Sequence, residues 1–227
     1  MWPFKKEPSS EPTASEATPN VAQGFGIFSP LFAGGGYLKL LNLQPDAAQA
    51  ISLIMKCCAA PANPYPDICR MLRDVNWRPH LVGAVAIATL ASDSRVNDEL
   101  WTAIDSGSWV TPQLVAVAFL RDPMFADRAQ ERLRPGYSVD TSRLAELPSL
   151  ERHSFCGPAG SVERSAKTAA SLVRLLGLLP QRPDWLIEVA SSAAMVSLLD
   201  KDIDSSGLIA ERWLNGLRKN LADLAPS

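Results

Sequence analysis

Two segments of the chain, 79–90 and 112–120, contain no Asp, Glu, Lys or Arg, and their apolar residues would cover every side of a helix. Each begins with a proline, Pro79 or Pro112, which suits the first turn of a helix because the backbone N–H there needs no partner. A helix with apolar residues on every side is buried on every side. The two segments therefore predict two helices lying side by side in the centre of an all-α domain.

Prolines that precede apolar stretches recur along the chain. They stand at Pro45, Pro79, Pro112 and Pro183, with gaps of 34, 33 and 71 residues, the last being close to two periods. A period of this length is typical of helical repeats. The sequence therefore predicts a stack of similar helical units.

A second, amphipathic helix is predicted after each central segment. After 79–90, the apolar residues fall at i, i+4, i+7 and i+8, as Val96, Leu100, Ala103 and Ile104, and Gly107 is expected to end that helix in the left-handed conformation. After Asp122-Pro123 the apolar residues are Phe125, Ala129 and Leu133. Each pair of helices predicts a helical hairpin with its polar side in water.

Composition divides the chain into three parts. Residues 1–22, rich in Pro, Ser and Glu, predict a disordered tail. Residues 23–42 predict a Gly/Pro-rich apolar arm along the surface of the domain. Residues 43–227 predict the helical domain itself, with an irregular insertion at 135–160 and a short helix near Leu144. The last helices are expected at 161–179, 184–199 and 207–224.

Charge, cysteines and the N-terminal pattern indicate what the protein binds and the compartment in which it acts. The stretch 17–38 carries no charge, but its glycines and Pro30 disfavour a membrane span; its contact with a membrane stays open. The formal charge of −2 disfavours non-specific nucleic-acid binding. Four irregularly spaced cysteines are read as reduced thiols. No secretory signal pattern is present, so we expect a cytoplasmic protein, of bacterial type. The glycines 34–36 lack the Lys-Ser/Thr of a phosphate-binding loop, and we expect no cofactor.

The Pro-initiated helix pairs and Asp122-Pro123 resemble HEAT or armadillo repeats over about 45–133. The chain departs from the family in having few repeats, the irregular 135–160 segment and no clear Arg ladder. The resemblance implies binding of another protein along a helical surface. We therefore predict a non-catalytic adaptor, or an immunity- or inhibitor-like partner protein. Its predicted binding residues are Asn97, Asp98, Trp101, Arg128 and Glu131.

A nucleic-acid enzyme is the alternative that the tryptophans raise. Trp77, Trp101 and Trp109, with Arg78 and Asp105 nearby in sequence, resemble the concave face of HEAT-like bacterial alkylpurine DNA glycosylases. Such a platform would stack an unpaired base or hold a peptide. In the simpler interpretation, Trp77 and Trp109 pack loops onto the first turns of helices.

An acidic stretch between the last two helices raises a calcium hypothesis. Asp200, Asp202, Asp204 and Glu211 occupy positions one, three, five and twelve of an EF-hand-like loop. Ser205 stands where that motif needs Gly, and no second loop pairs with it. The alternative is an acidic turn in which Asp204 or Ser205 caps the last helix.

Two further groups of residues are read as structural. His153 and Cys156 have the types of a base and a nucleophile, but no third group orients them. Cys57, Cys58 and Cys69 with His80 lack the Cys-x-x-Cys spacing of a zinc site. The sequence therefore predicts no catalytic set and no metal site.

Overall fold

The computed structural model describes residues 24–43, 46–90, 94–145 and 160–224. Within these ranges the chain is helical and forms no strand, which confirms the all-α class. A 3₁₀ helix at Gly26–Leu31 precedes the α-helices. These are α1 (Leu38–Leu41), α2 (Ala47–Cys58), α3 (Tyr65–Arg73), α4 (Trp77–Thr89), α5 (Ser94–Asp105), α6 (Thr111–Arg121), α7 (Phe125–Arg132), α8 (Ser142–Ala145), α9 (Ser161–Leu176), α10 (Trp185–Ser191), α11 (Ala193–Leu199) and α12 (Ser206–Leu224).

Helices α4 and α6 lie against each other in the centre of the domain. Every residue from Pro79 to Ala88 and from Thr111 to Ala118 is buried. Helix α4 also contacts α2 and α3, whereas α6 also contacts α5, α9 and α12. Full burial of one Val, Leu or Ile side chain contributes about 1.5–3 kcal/mol. The predicted central position of the two apolar helices is confirmed.

The ends of these helices follow the local sequence signals. Pro79 is the third residue of α4 and Pro112 the second residue of α6, so both prolines lie in first turns. The Asn76 side-chain oxygen accepts a hydrogen bond from the Arg78 backbone N–H at 3.1 Å and caps α4. Gly107 follows α5 with φ of 70°, the left-handed conformation predicted for it. Pro45 lies outside the described residues.

The arm contributes to the core rather than only lying on its surface. From the predicted arm, 23–42, Phe28, Leu31 and Leu40 are fully buried, and the 3₁₀ helix packs on α2 and α3. Gly26, at φ of 51°, lets the backbone approach Asp67, whose carboxylate accepts from the Ile27 N–H at 3.2 Å. Among the described residues, no helix combines the length and apolarity needed to cross a membrane.

Two features of the helix pattern differ from the sequence-based expectation. Helix α3 has no counterpart among the segments assigned from the sequence; its Pro66 occupies the first turn. The predicted helix 184–199 is broken into α10 and α11 at Ser192, whose ψ is 142°. The Ser192 hydroxyl accepts from the Met195 N–H at 3.3 Å and starts α11.

The two ends of the described domain meet. Helix α12 packs on α2 as well as on α6 and α9. The Trp213 indole N–H donates to the Leu40 carbonyl oxygen at 2.8 Å. In an open repeat array each unit contacts only its neighbours. The contact between Trp213 and Leu40 is a long-range contact that an open array of this kind would not contain. The stacking of hairpins as in HEAT repeats therefore stays a prediction.

Candidate functional site

The predicted binding surface on α5 and α7 is only partly exposed. Asp98 and Arg128 form an ion pair at 2.7 Å, and Glu131 is exposed beside them. Asn97 and Trp101 are 3% and 1% exposed, so these two residues do not belong to the surface for which they were predicted. Helix α5 contacts both α3 and α6, and its buried face is therefore wider than the stripe of Val96, Leu100, Ala103 and Ile104.

Trp101 instead belongs to a partly buried network in which Trp101 and Asp122 are the buried members. Its indole N–H donates to the Asp122 carboxylate at 2.6 Å, and the Arg132 guanidinium lies 4.3 Å from its ring centroid. Arg132 donates to Asp105 at 2.7 Å, and the Tyr137 hydroxyl donates to the same carboxylate at 2.7 Å. Burial and the neighbouring Asp105 charge raise the pKa of Tyr137. The network joins α5, α7 and the loop after α7, with a structural role.

The three tryptophans named above do not form one platform. Trp77 and Trp109 lie with their ring centroids 4.8 Å apart, whereas Trp101 pairs with Phe125 at 5.9 Å. The Arg78 guanidinium lies 5.0 Å from the Trp77 ring centroid, and its Nε donates to the Tyr37 hydroxyl at 3.2 Å. Arg78 and Asp105 thus have different partners. The structure brings together Trp77, Arg78 and Trp109, and leaves Trp101 out.

His80 is held between two turns. Its Nε2 lies 2.8 Å from the Asp74 carbonyl oxygen and its Nδ1 lies 2.7 Å from the Ser108 hydroxyl. Since a carbonyl oxygen only accepts, Nε2 carries the proton and Ser108 donates to Nδ1. Burial lowers the pKa of His80 to about 4. This polarity suits a nucleophile and base, but the adjoining cavity of about 10 Å³ holds about one water molecule and no substrate.

The cysteines named in the zinc hypothesis have separate surroundings. The Cys57 thiol donates to the Ile27 carbonyl oxygen at 3.2 Å, and the Thr89 hydroxyl contacts the Cys58 sulfur at 3.6 Å. Burial raises the pKa of both thiols. Nowhere in the described part of the chain do three or more His, Cys, Asp or Glu side chains gather as metal ligands. His153 and Cys156 lie outside the described residues.

The acidic turn before α12 does not gather its carboxylates. Asp202 accepts from the Ser206 N–H at 2.7 Å and from its hydroxyl at 2.6 Å, so Asp202 caps α12 in place of the predicted Asp204 or Ser205. Asp204 pairs with Lys167 at 3.0 Å, and Glu211 accepts from Arg174 at 2.6 Å. Three acidic side chains of the predicted calcium loop, those of Asp202, Asp204 and Glu211, are therefore engaged in separate contacts.

A cavity of about 680 Å³ opens beside Trp109, where the first turns of α6 and α9 meet the turn before α12. We call it the Trp109 cavity. It is lined by Leu41, Asn42, Trp109, Val110, Pro112, Gln113, Gly160, Glu163, Lys167, Lys201, Asp202, Ile203, Asp204 and Ile209. The Gln113 amide donates to the Leu41 carbonyl oxygen at 3.2 Å, while its own oxygen is buried and has no hydrogen-bond partner among the described residues. The cavity therefore offers mainly apolar walls.

A groove of about 660 Å³ runs between the end of α9 and helix α10. We call it the α9–α10 groove. It is lined by Val173, Arg174, Gly177, Leu178, Arg182, Leu186, Ile187, Ala190 and Ser191. Its two charged lining residues, Arg174 and Arg182, are both basic. At its edge Ile187 is 65% exposed, and on the next helix Val196 is 46% exposed.

Sequence reasoning missed both concave sites. The signal for the first was Gln113, the one amide in an otherwise apolar helical segment, 112–120. The signal for the second was the run Trp185-Leu-Ile-Glu-Val-Ala, which has more apolar residues than one face of a short helix can bury. The first signal is a polar residue in an apolar segment, and the second is a surplus of apolar residues on a short helix.

The geometry has no counterpart in the comparisons with other proteins. No family model, no curated protein and no solved structure matches this chain.

Proposed function

We propose that this chain is a non-catalytic binding protein whose partner is another protein. The observation that carries the proposal is the exposure of Ile187, which lines the α9–α10 groove, together with the exposure of Val196 on the next helix, α11. Large apolar side chains grouped on a surface mark sites of protein contact. The HEAT resemblance, which implies binding along helical surfaces, supports the same proposal.

The two helices bury little of their own apolar surface. Leu186 is the buried residue of α10 and Met195 that of α11. Residues on the other sides of both helices, among them Ile187 and Val196, face water. A partner that covers them would gain apolar burial at about 25 cal/mol per Å² of covered surface, less the entropy of association.

The charge of the groove indicates which kind of partner segment would fit it. Arg174 is paired with Glu211 at 2.6 Å, whereas Arg182 is exposed on the rim. A partner segment with apolar side chains on one face and Asp or Glu at its edge complements this groove. We therefore propose an amphipathic, acidic helix of another protein as the occupant.

The state of the cysteines indicates the compartment in which the protein acts. Cys57, Cys58 and Cys69 are free thiols, as expected in a reducing compartment. We propose that the protein acts in the cytoplasm. The nucleic-acid alternative has weaker support, because Trp101 is buried and the formal charge is −2.

Site-specific photo-crosslinking in native host cells tests the proposal. A benzophenone amino acid replaces Ile187 in the groove, Asp98 on the α5–α7 surface or Asn215, which is exposed on α12 and serves as the control. We expect one discrete protein adduct from position 187 and none from 215. Arg182→Glu should reduce the adduct about five-fold or more, because it repels an acidic segment.

The three crosslinker positions distinguish a partner at the groove from a partner at the α5–α7 surface and from non-specific contact. An adduct from 98 alone would move the partner to the α5–α7 surface predicted from the sequence and would overturn the groove. Equal adducts from 187, 98 and 215, or none from any position, would contradict a specific protein partner.

A further inference from the structure

The Trp109 cavity presents apolar surface to solvent. Ile203 lines it and is 87% exposed, and Trp109, in its wall, is half-buried. Val162, on the first turn of α9 beside the cavity residue Glu163, is 53% exposed. Grouped apolar side chains on a surface indicate a contact site. The volume of about 680 Å³ lies within the range of about 300–1,000 Å³ that holds a compact organic group, such as an aromatic side chain.

The chain itself contains an aromatic pair outside the described residues. Trp2 and Phe4 are the only aromatic residues of segment 1–23, and Pro3 between them restricts the backbone. Residues 7–23 are mainly Pro, Ser, Thr, Glu and Ala. Aromatic side chains give a large apolar contact area at a small loss of conformational entropy. The aromatic pair therefore has the composition of an anchor, and the residues after it have that of a linker.

The point at which this segment joins the described domain is close to the cavity. Contacts between aromatic rings lead from Phe25 to Trp109 in four steps of 4.8–6.2 Å between centroids, through Phe32, Tyr37 and Trp77. The linker 7–23 spans up to about 55 Å when extended, at about 3.3 Å per residue. This reach exceeds the four steps together, so the aromatic pair can reach the cavity.

The covalent link favours this occupant over a separate molecule. A segment attached through a flexible linker has an effective concentration of about a millimolar at a site within its reach. Binding that is too weak to recruit a second chain at micromolar concentration is therefore sufficient for a segment of the same chain.

Charge distinguishes the Trp109 cavity from the α9–α10 groove as the place for this segment. Lys5 and Lys6 follow directly after Phe4. The charged residues that line the groove, Arg174 and Arg182, are both basic and would repel them. Three of the five charged residues that line the cavity are acidic, namely Glu163, Asp202 and Asp204 against Lys167 and Lys201. The lysines after the aromatic pair therefore favour the cavity.

We propose that residues 2–6 occupy the Trp109 cavity of the same chain. The rings of Trp2 and Phe4 cover Trp109 and Ile203, and the two lysines face the acidic side chains of the lining. The cavity is then an intramolecular docking site. It shares no lining residue with the α9–α10 groove proposed for the partner protein, so the two proposals are independent.

Intramolecular photo-crosslinking tests the proposal on the full-length chain. Benzoyl-phenylalanine replaces Phe4, where it keeps an aromatic ring, or Ala14 in the linker as the control. After irradiation at low micromolar concentration, mass spectrometry of the digested monomer identifies the crosslinked peptides. Position 4 should give adducts with peptides that contain Trp109 or 201–209, at about five-fold or higher yield than position 14, because only a docked side chain stays in contact.

Substitutions that leave the core untouched locate the contact. Ile203→Asn, at the exposed rim of the cavity, should lower the position-4 adduct about three-fold, because it removes apolar contact. Ile187→Asn, at an exposed position of the groove, should not change it. Lys5→Glu combined with Lys6→Glu should lower it about two- to three-fold, because the acidic side chains of the cavity then repel the segment.

Several results would overturn the proposal. These are adducts confined to other surfaces, the α9–α10 groove included, adducts found only in crosslinked dimers, which would make a second copy the occupant, and equal yields from positions 4 and 14. No adduct from position 4, or equal losses in Ile203→Asn and Ile187→Asn, would also contradict it.

Discussion

The central helices α4 and α6 and the peripheral helices α10 and α11 are all rich in apolar residues, and the fold covers them very differently. In α4 and α6 neighbouring helices cover every side, so that Leu81 and Leu114 are fully buried. In α10 and α11 one residue of each helix is buried, and Ile187 and Val196 face water. The first pair stabilises the domain. The second pair leaves apolar surface exposed, and we propose that a partner protein covers it.

The largest expected effect is the loss of packing in the centre. Leu114→Ala should lower the free energy of unfolding by about 2–5 kcal/mol, because it removes a fully buried side chain and leaves a cavity. Ile187→Ala should change it by about 0.5 kcal/mol or less. Urea denaturation followed by tryptophan fluorescence measures both. Equal losses in the two variants would remove the distinction between the regions.

The pH dependence of stability tests the burial of the central helices, because the buried His80 belongs to α4. Unfolded His80 titrates near its ordinary pKa of 6.5 and folded His80 near 4, so the unfolded chain takes up the proton first as pH falls. The free energy of unfolding should therefore decrease by about 3 kcal/mol between pH 6.5 and pH 4. Urea denaturation across this range measures the decrease.

The control for that prediction is His80→Gln, which has no titrating imidazole. Its free energy of unfolding should vary less with pH than that of the wild type over the same range, and the difference isolates His80 from the other ionisable groups. Parallel curves for the two proteins would show that His80 is not buried as a neutral side chain.

A smaller effect compares the two helix caps. Asn76 caps α4 and Ser192 caps α11. Asn76→Ala should lower the global free energy of unfolding by about 1 kcal/mol. Ser192→Ala should mainly favour local opening of α11, because α11 packs only on α9 and α10 among its larger contacts. Denaturation and amide hydrogen exchange together distinguish the two, and an equal global loss in Ser192→Ala would contradict the peripheral status of α11.

The central pair could be predicted because its signal is contained in each segment. A stretch such as 79–90, without charge and apolar on all sides, allows few structures other than a buried helix. The short helix near Leu144, the first-turn positions of Pro79 and Pro112 and the left-handed Gly107 are equally local. Each of these predictions needed only the properties of neighbouring residues.

The candidate sites could not be predicted in the same way, because they depend on contacts between distant segments. Trp101 was predicted at the surface, yet Asp122 and Arg132 approach it from other elements and enclose it. The Trp109 cavity joins residues from 41 to 209, and no single segment contains its pattern. Ser192 can either continue a helix or cap the next one, and the sequence around it does not decide which of the two occurs.

Hydrogen exchange over the whole chain, read by mass spectrometry, tests the central claim most directly. The account predicts that amides of 81–88 and 114–118 exchange only through global unfolding, whereas those of 185–199 exchange much faster through local opening. It also predicts that a bound partner slows exchange in 173–199, the segment that contains the groove, and leaves exchange in 81–88 and 114–118 unchanged. Exchange in 81–88 or 114–118 as fast as in 185–199 would contradict the account.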